Sequence, residues 1–128
     1  MKKEFSVHWK ESKKPRKKRK YIANAPLHIR RKLMAAHLSK ELRKRYQRRS
    51  FPVRKGDTVK VMGGNFKNSV GKVSRVDLKN YVVYVENAQM NKRDGTKTFY
   101  PINPSNLLIQ EFNLDDKTRV EALMRGKK

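Results

Sequence analysis

The chain predicts a mainly β protein: a small barrel of short strands, preceded by a basic extension of an arm plus two short helices, and followed by a short C-terminal helix. Three observations carry this reading. Between Val53 and Ile109, short β-branched or alternating segments are separated by turn formers at close intervals, with no long helical pattern among them. From Asn24 to Arg49, apolar residues recur at helical spacing with Arg and Lys between them. The first fifty residues hold nineteen of the 34 Lys and Arg and three of the 11 acids, a net +16 out of a formal +23. A chain of 128 residues has room for one small domain and a substantial extension. Four segments follow: residues 1–23, a basic extended arm; 24–50, a basic helical extension; 51–112, the barrel; and 113–128, a helical tail. The barrel segment is near the lower size limit for independent stability.

In the arm, Lys13, Lys14, Arg16, Lys17, Lys18, Arg19 and Lys20 form a like-charge block around Pro15. Such blocks stay disordered in water. Alone, the block fits a solvated tail or a nuclear-targeting patch as well as an RNA-binding arm. Phe5 and Trp9 add rings suited to stacking on bases or docking on a protein neighbour. In the extension, Asn24 is the expected N-cap and Pro26 suits the first helical turn. Leu27, Ile29, Leu33, Met34, Leu38, Leu42 and Tyr46 form a narrow apolar stripe. Arg30, Arg31, Lys32, Lys40, Arg43, Lys44, Arg45, Arg48 and Arg49 lie between them. Ser39 suits a second cap, so the break between the helices is expected near His37 to Ser39. One face packs and the other meets phosphate. A membrane-surface helix would carry large aromatics along its apolar face, and apart from Tyr46 at its end this stripe lacks them.

After Phe51-Pro52, Asp57 to Val61 alternates with period two. Gly63 to Asn68 is a loop of turn formers, and Val70 to Asp77 is a second strand. There Val70, Val73 and Val76 break strict alternation, so a bulge or strong coiling is expected near Gly71. Lys79-Asn80 turns the chain into Tyr81 to Val85. Asp94-Gly95 predicts a hairpin between Ala88 to Lys92 and Lys97 to Ile102. Pro101 and Pro104 bracket an edge, and Leu107 to Ile109 is expected as a short closing strand. From Asp115, Val120, Leu123 and Met124 share one face of a terminal helix, with Glu121 and Arg125 at i, i+4.

The charge asymmetry limits the partner. A segment this cationic repels itself and becomes compact only against a polyanion, where each neutralised phosphate releases counterions. The partner is therefore expected to be nucleic acid, and RNA-free residues 1–23 are expected to be disordered. With no Cys, disulfides and thiolate zinc sites are excluded. The longest apolar run, Tyr81 to Val85, is far short of a membrane span, and the basic start lacks a secretory h-region. A mitochondrial transit peptide would share the Arg-rich start, but here the basic pattern runs on into the domain.

Catalytic chemistry is absent from the pattern. His8, His28 and His37 have no metal-ligand spacing, so no metal or cofactor is expected. Asp115-Asp116 reads as a helix cap rather than an acid pair. Gly63-Gly64 lacks the Gly-Lys-Ser/Thr of a P-loop, and no Gly-x-Ser-x-Gly occurs. Pro104 blocks glycosylation at Asn103. No enzyme is expected.

The segment Arg54-Lys55-Gly56-Asp57-Thr58-Val59-Lys60-Val61-Met62-Gly63-Gly64, followed by Ser69-Val70-Gly71-Lys72-Val73-Ser74-Arg75-Val76, resembles a KOW motif. Such motifs occur in the SH3-like barrels of ribosomal proteins and transcription elongation factors. The flanks His28 to Met34, Leu38 to Arg43 and Arg48 to Asp57 make the chain similar to one ribosomal family. This is the large-subunit protein called L twenty-four in bacteria and L twenty-six in eukaryotes, in its longer archaeal and eukaryotic form. The resemblance covers roughly residues 24 to 110, although His37 stands where those members usually carry Pro. Bacterial members begin near the equivalent of Arg54, so the basic extension argues for the longer form.

The resemblance implies binding to the 5′ domain of large-subunit rRNA, an early role in assembly, and a position near the polypeptide exit tunnel. It also implies neighbouring ribosomal proteins as partners and a cytoplasmic location on ribosomes, with no homo-oligomer expected. Carried onto this chain, the RNA-facing candidates are Arg54 and Lys55 in the turn, and Gly63, Gly64, Asn65 and Lys67 in the loop. Lys72, Arg75 and the cations of the arm and extension join them. Gly56 and Gly71 are read as structural glycines, with Gly71 permitting a backbone bend or close approach to RNA. The alternative is a KOW-containing elongation or chromatin factor, but the first fifty residues have too few apolar positions for the α/β domain such factors place before the barrel. A proline-rich-peptide module would use Tyr81, Tyr84, Phe99 and Tyr100, which fit strand packing better.

Overall fold

The computed structural model describes residues 5–9 and 11–126. Its elements run α1 (Pro15–Asn24), α2 (Leu27–Leu33), β1 (Ala35–Leu38), α3 (Lys40–Tyr46), β2 (Ser50–Pro52), β3 (Thr58–Val61), β4 (Val70–Asp77) and β5 (Val82–Val85). Then follow β6 (Gln89–Asn91), β7 (Lys97–Phe99), a single 3₁₀ turn (Pro104–Asn106), β8 (Leu107–Glu111) and α4 (Lys117–Met124). The expectation of a mainly β protein with a basic helical extension and a short C-terminal helix holds. Among the described residues no helix is long and apolar enough to cross a membrane.

Six strands form one mixed sheet in the order β2-β1-β8-β3-β4-β5, and β6 and β7 form a separate two-stranded ribbon. Beyond β5, an isolated bridge joins Val83 to Ile102. The large side chains of the core come from almost every layer. Leu38 of β1, Val59 and Val61 of β3, Val73 of β4, Val83 and Val85 of β5, Leu107 and Ile109 of β8 and Leu123 of α4 are all buried in one cluster. Strands contributing to one cluster from such distant places in the order require a strongly coiled sheet.

Several elements differ from the sequence reading. Residues 35–38 do not belong to a broken helix but form β1, antiparallel to β2 and parallel to β8. Alanine favours helix, but the free edge of β8 supplies hydrogen-bond partners that a local helix cannot match, and Ala36 and Leu38 enter the core. The expected closing strand, β8, is longer than Leu107 to Ile109 and lies inside the sheet, between β1 and β3. The irregularity expected near Gly71 falls further on, between Val73 and Arg75, where Ser74 Oγ donates to the Tyr84 carbonyl at 3.0 Å. Gly71 has a different use: a Cβ there would lie 3.1 Å from Val85 Cγ1 and from Asn87 Nδ2, so its smallness lets β5 pack closely. Strand β7 stops at Phe99, short of the expected Ile102, because Pro101 has no N–H for the ladder.

The first helices differ too. Residues 15–24 are helical rather than extended, and Asn24 ends α1 instead of capping α2. The N-cap position of α2 is Pro26. Ser39 caps α3 as expected, its side chain accepting from the Leu42 N–H at 3.4 Å. Asp116 caps α4, accepting from the Thr118 N–H at 2.9 Å. On α4 the buried residues are Leu123 and Arg119, whereas Met124 is exposed and Glu121 forms no ion pair with Arg125.

Candidate nucleic-acid interface

The cations of the chain divide into those spent on the protein and those left to solvent. Arg30 is the most heavily used of the predicted site residues. Its Nε donates to the Ala25 carbonyl at 2.7 Å, Nη2 to Ala23 at 2.6 Å and Nη1 to Lys79 at 2.8 Å. The guanidinium also lies 5.1 Å from the centre of the Tyr81 ring. It thus ties the end of α1 to the turn between β4 and β5. Tyr81 Oη donates to the Ile22 carbonyl beside it. Burial pushes the Tyr81 phenol up, partly offset by Arg30. Arg43 Nε caps β1 by donating to Leu38 O at 2.9 Å, and Arg48 Nη2 donates to the Ala122 carbonyl at 2.9 Å. Arg54 pairs with Asp116 at 2.6 Å, which together with the Thr118 N–H holds the Asp116 carboxyl below its ordinary range.

The others face outward. Lys13, Lys14, Arg16, Lys17, Lys18, Arg19 and Lys20 are exposed along the start of α1. Arg31 and Lys32 are exposed on α2, Lys40, Lys44 and Arg45 on α3, and Arg49, Lys55, Lys67 and Lys72 beside or within the strands. Arg45 lies over the Tyr46 ring at 5.5 Å and Arg75 over the Tyr84 ring at 4.5 Å. Stacked guanidinium groups of this kind keep their N–H edges free for an anion.

In the loop between β3 and β4, Gly64 has φ +85° and Asn65 and Lys67 are exposed. The N–H groups of Lys67, Asn68 and Ser69 are used within the turn. Those of Gly63, Gly64, Asn65 and Phe66 donate to no acceptor among the described residues. Consecutive free N–H groups around a left-handed residue form an anion-accepting concavity. Phe66 anchors the loop from below, its ring 5.2 Å from that of Tyr100.

The aromatic residues of the arm are used inside the molecule. Trp9 stacks on Tyr21 of α1 with ring centres 4.4 Å apart, and Phe5 lies 4.8 Å from the same ring.

One arrangement escaped the sequence reading. Asp57, within the basic-Gly-Asp turn, is 0% exposed, and Arg119 of α4 is 3% exposed. Arg119 Nη1 and Nη2 donate to the two Asp57 carboxylate oxygens, each at 2.6 Å. The same two nitrogens donate to Asn113 O at 2.9 Å and Pro52 O at 3.2 Å. Asp57 further accepts from the N–H groups of Arg54 at 3.0 Å and Asn113 at 2.9 Å. Phe51 and Phe112 lie beside the guanidinium, 5.7 and 5.1 Å from their ring centres. Burying a charge is costly unless it is paired and hydrogen-bonded, and here both conditions are met. The pair fixes the turn that aims Arg54 and Lys55. Gly56 completes that turn at φ +91°, where a Cβ would also approach Asn113 Nδ2 to 2.6 Å. The signal in the sequence is faint: an Arg on the apolar side of a short helix, distant in the chain from its partner.

Residues 12–126 match the sequence model of a family described as the eukaryotic L26 and archaeal L24 ribosomal proteins. The chain is also similar to the large ribosomal subunit protein uL24 of Methanosphaera stadtmanae. The two are 53% identical over 114 residues, spanning 89% of this chain and 97% of that relative.

Proposed function

Because the chain belongs to the family of eukaryotic L26 and archaeal L24 ribosomal proteins, we propose that it is a structural constituent of the large ribosomal subunit that binds the 5′ domain of large-subunit rRNA. In this reading it helps nucleate subunit assembly, lies near the polypeptide exit tunnel among other ribosomal proteins, and works in the cytoplasm. The observation that carries the reading is the division of cations. The exposed Lys and Arg that have no hydrogen-bond or ion-pair partner among the described residues concentrate on α1, α2 and α3, and the N–H groups of residues 63–66, which donate to no described acceptor, form a second anion-facing element. Arg16 to Lys20, Arg31, Lys32, Lys40, Lys44, Arg45, Arg49, Lys55, Lys67, Lys72 and Arg75 are the phosphate-facing set. Arg30, Arg43, Arg48 and Arg54 support it, because much of their donor capacity is taken by protein acceptors.

Binding of this type is dominated by counterion release. For six to ten phosphate contacts, affinity for a 5′-domain rRNA transcript falls by about 10³ to 10⁵ between 50 and 200 mM salt. A filter-binding series measures the slope. A flat response, or equal affinity for an unrelated RNA of the same length, would refute the reading.

A further inference from the structure

A second cationic site lies away from the loop between β3 and β4, on the side of the sheet where β2 forms the edge. An open cleft of about 450 Å³ is walled by His28, Arg31 and Lys32 of α2, by Arg48 ahead of β2 and by Arg125 at the end of α4, with Phe51 in its lining. Among the described residues no carboxylate lines it. In the strand order, β1 and β8 separate this edge from β3. The cleft therefore joins the N-terminal extension to the C-terminal helix, which are far apart in sequence.

The electrostatics point to an anion. The carbonyl end of α4 would by itself repel one, but Arg48 Nη2 donates to the Ala122 carbonyl there and offsets that partial negative charge. The side chains of Arg31, Lys32 and Arg125 make no hydrogen bond or ion pair among the described residues. Arg48 Nε is buried and has no partner among them. A guanidinium N–H left unsatisfied away from water is costly, and such groups in folded proteins call for a ligand, an ion or water. One arginine held in place by its bond to Ala122, with two exposed arginines and a flexible lysine beside it, suits an oxyanion with several acceptor atoms.

We propose that this cleft is a phosphate-binding site that clamps the RNA backbone between α2 and the end of α4, so that the C-terminal helix takes part in RNA binding. The proposal rests on the RNA-binding reading above. The occupant is a phosphodiester rather than a carboxylate-bearing protein segment, because the cleft continues the exposed cationic surface of α2.

The test uses the full chain and a 5′-domain rRNA transcript, with the Arg31→Gln/Arg125→Gln double variant. Both side chains are exposed and have no partner among the described residues, so the described fold has no need of them. A control variant, Lys92→Gln/Lys97→Gln, removes the same charge from the β6–β7 ribbon. If wild type binds with a steep salt slope, the first double variant is expected to lower the slope by about 1.4 to 1.8. It should weaken binding about tenfold or more at low salt, with a smaller loss in the control. Unchanged affinity and slope in the first variant, or an equal loss in both, would overturn the site while leaving RNA binding intact. Binding of the wild type but not the Arg31→Gln/Arg125→Gln variant to a hexaglutamate peptide, with rRNA binding unchanged, would assign the cleft to an acidic protein segment instead. Failure of the wild type to bind rRNA would strike the functional reading itself.

Discussion

Two short helices, one near each end of the chain, are held in opposite ways. Helix α4 is built into the domain: Asp116 caps it, Leu123 is fully buried, and Arg119 reaches Asp57 through two charge-assisted hydrogen bonds. Helix α1 has no buried residue, no side-chain cap and no acid in its first turn. Its first turns instead carry Arg16 to Lys20, opposing the positive end of the helix dipole, and Arg16 and Lys20 repel at i, i+4. Only its last turn is tied down, through Tyr21, the Ile22 carbonyl, and Arg30 acting on Ala23 and Ala25. One helix is stabilised by the protein. The other has its far end fixed in direction and its near end left for an anion to stabilise.

The comparison breaks first at Arg119. Arg119→Ala leaves the Asp57 carboxylate buried without its cation, at a cost of about 3–5 kcal/mol, read from the denaturant midpoint at constant slope. A loss below about 1 kcal/mol would mean that α4 is not held by this pair. Arg30→Gln removes most of the anchor on α1 and costs about 1–3 kcal/mol locally. Amide exchange of residues 19–25 should accelerate while residues 57–61 keep their protection, and equal acceleration in both would show that the two regions open together. The smallest effect is acid sensitivity at the start of α4. Asp116 is held below its ordinary value of 3.8 by Arg54 and the Thr118 N–H. Its folded-state pKa is depressed, so the stabilisation is present above the unfolded value and disappears as pH falls through the folded one. Because the pair is exposed, screening keeps the effect small. Exchange at Thr118 should rise only below about pH 4 and be muted by salt.

The same contrast explains what the chain made legible. Strands β3, β4 and β5 and the β6–β7 hairpin could be read because alternation and turn chemistry are local, and the Asp94-Gly95 turn closes where expected, with Gly95 at φ +88°. The caps Ser39 and Asp116 were legible for the same reason. Strand β1 was not, because Ala35-Ala36-His37-Leu38 has no local preference for strand and owes its state to β8, about seventy residues later. Helix α1 was hidden by its charge: its residues favour helix individually, but their mutual repulsion argued for an extended arm. In the candidate site, the exposed lysines and arginines were identifiable by type. Which arginines are spent inward was not, because Arg30 and Arg119 find acceptors that only the tertiary structure brings near.

The parallel pairing of β1 with β8 has a consequence for the order of events in synthesis. A chain that emerges from its amino end offers β1 only the hairpin-like partner β2 until residue 109 has appeared. Strand β3 likewise waits for β8, and Asp57 waits for Arg119. Such distant pairings are slow to form, since the loops they close must first give up their entropy. The cationic extension is therefore made and chemically available while the sheet is still unfinished, and it is the later residues 107–123 that lock the architecture.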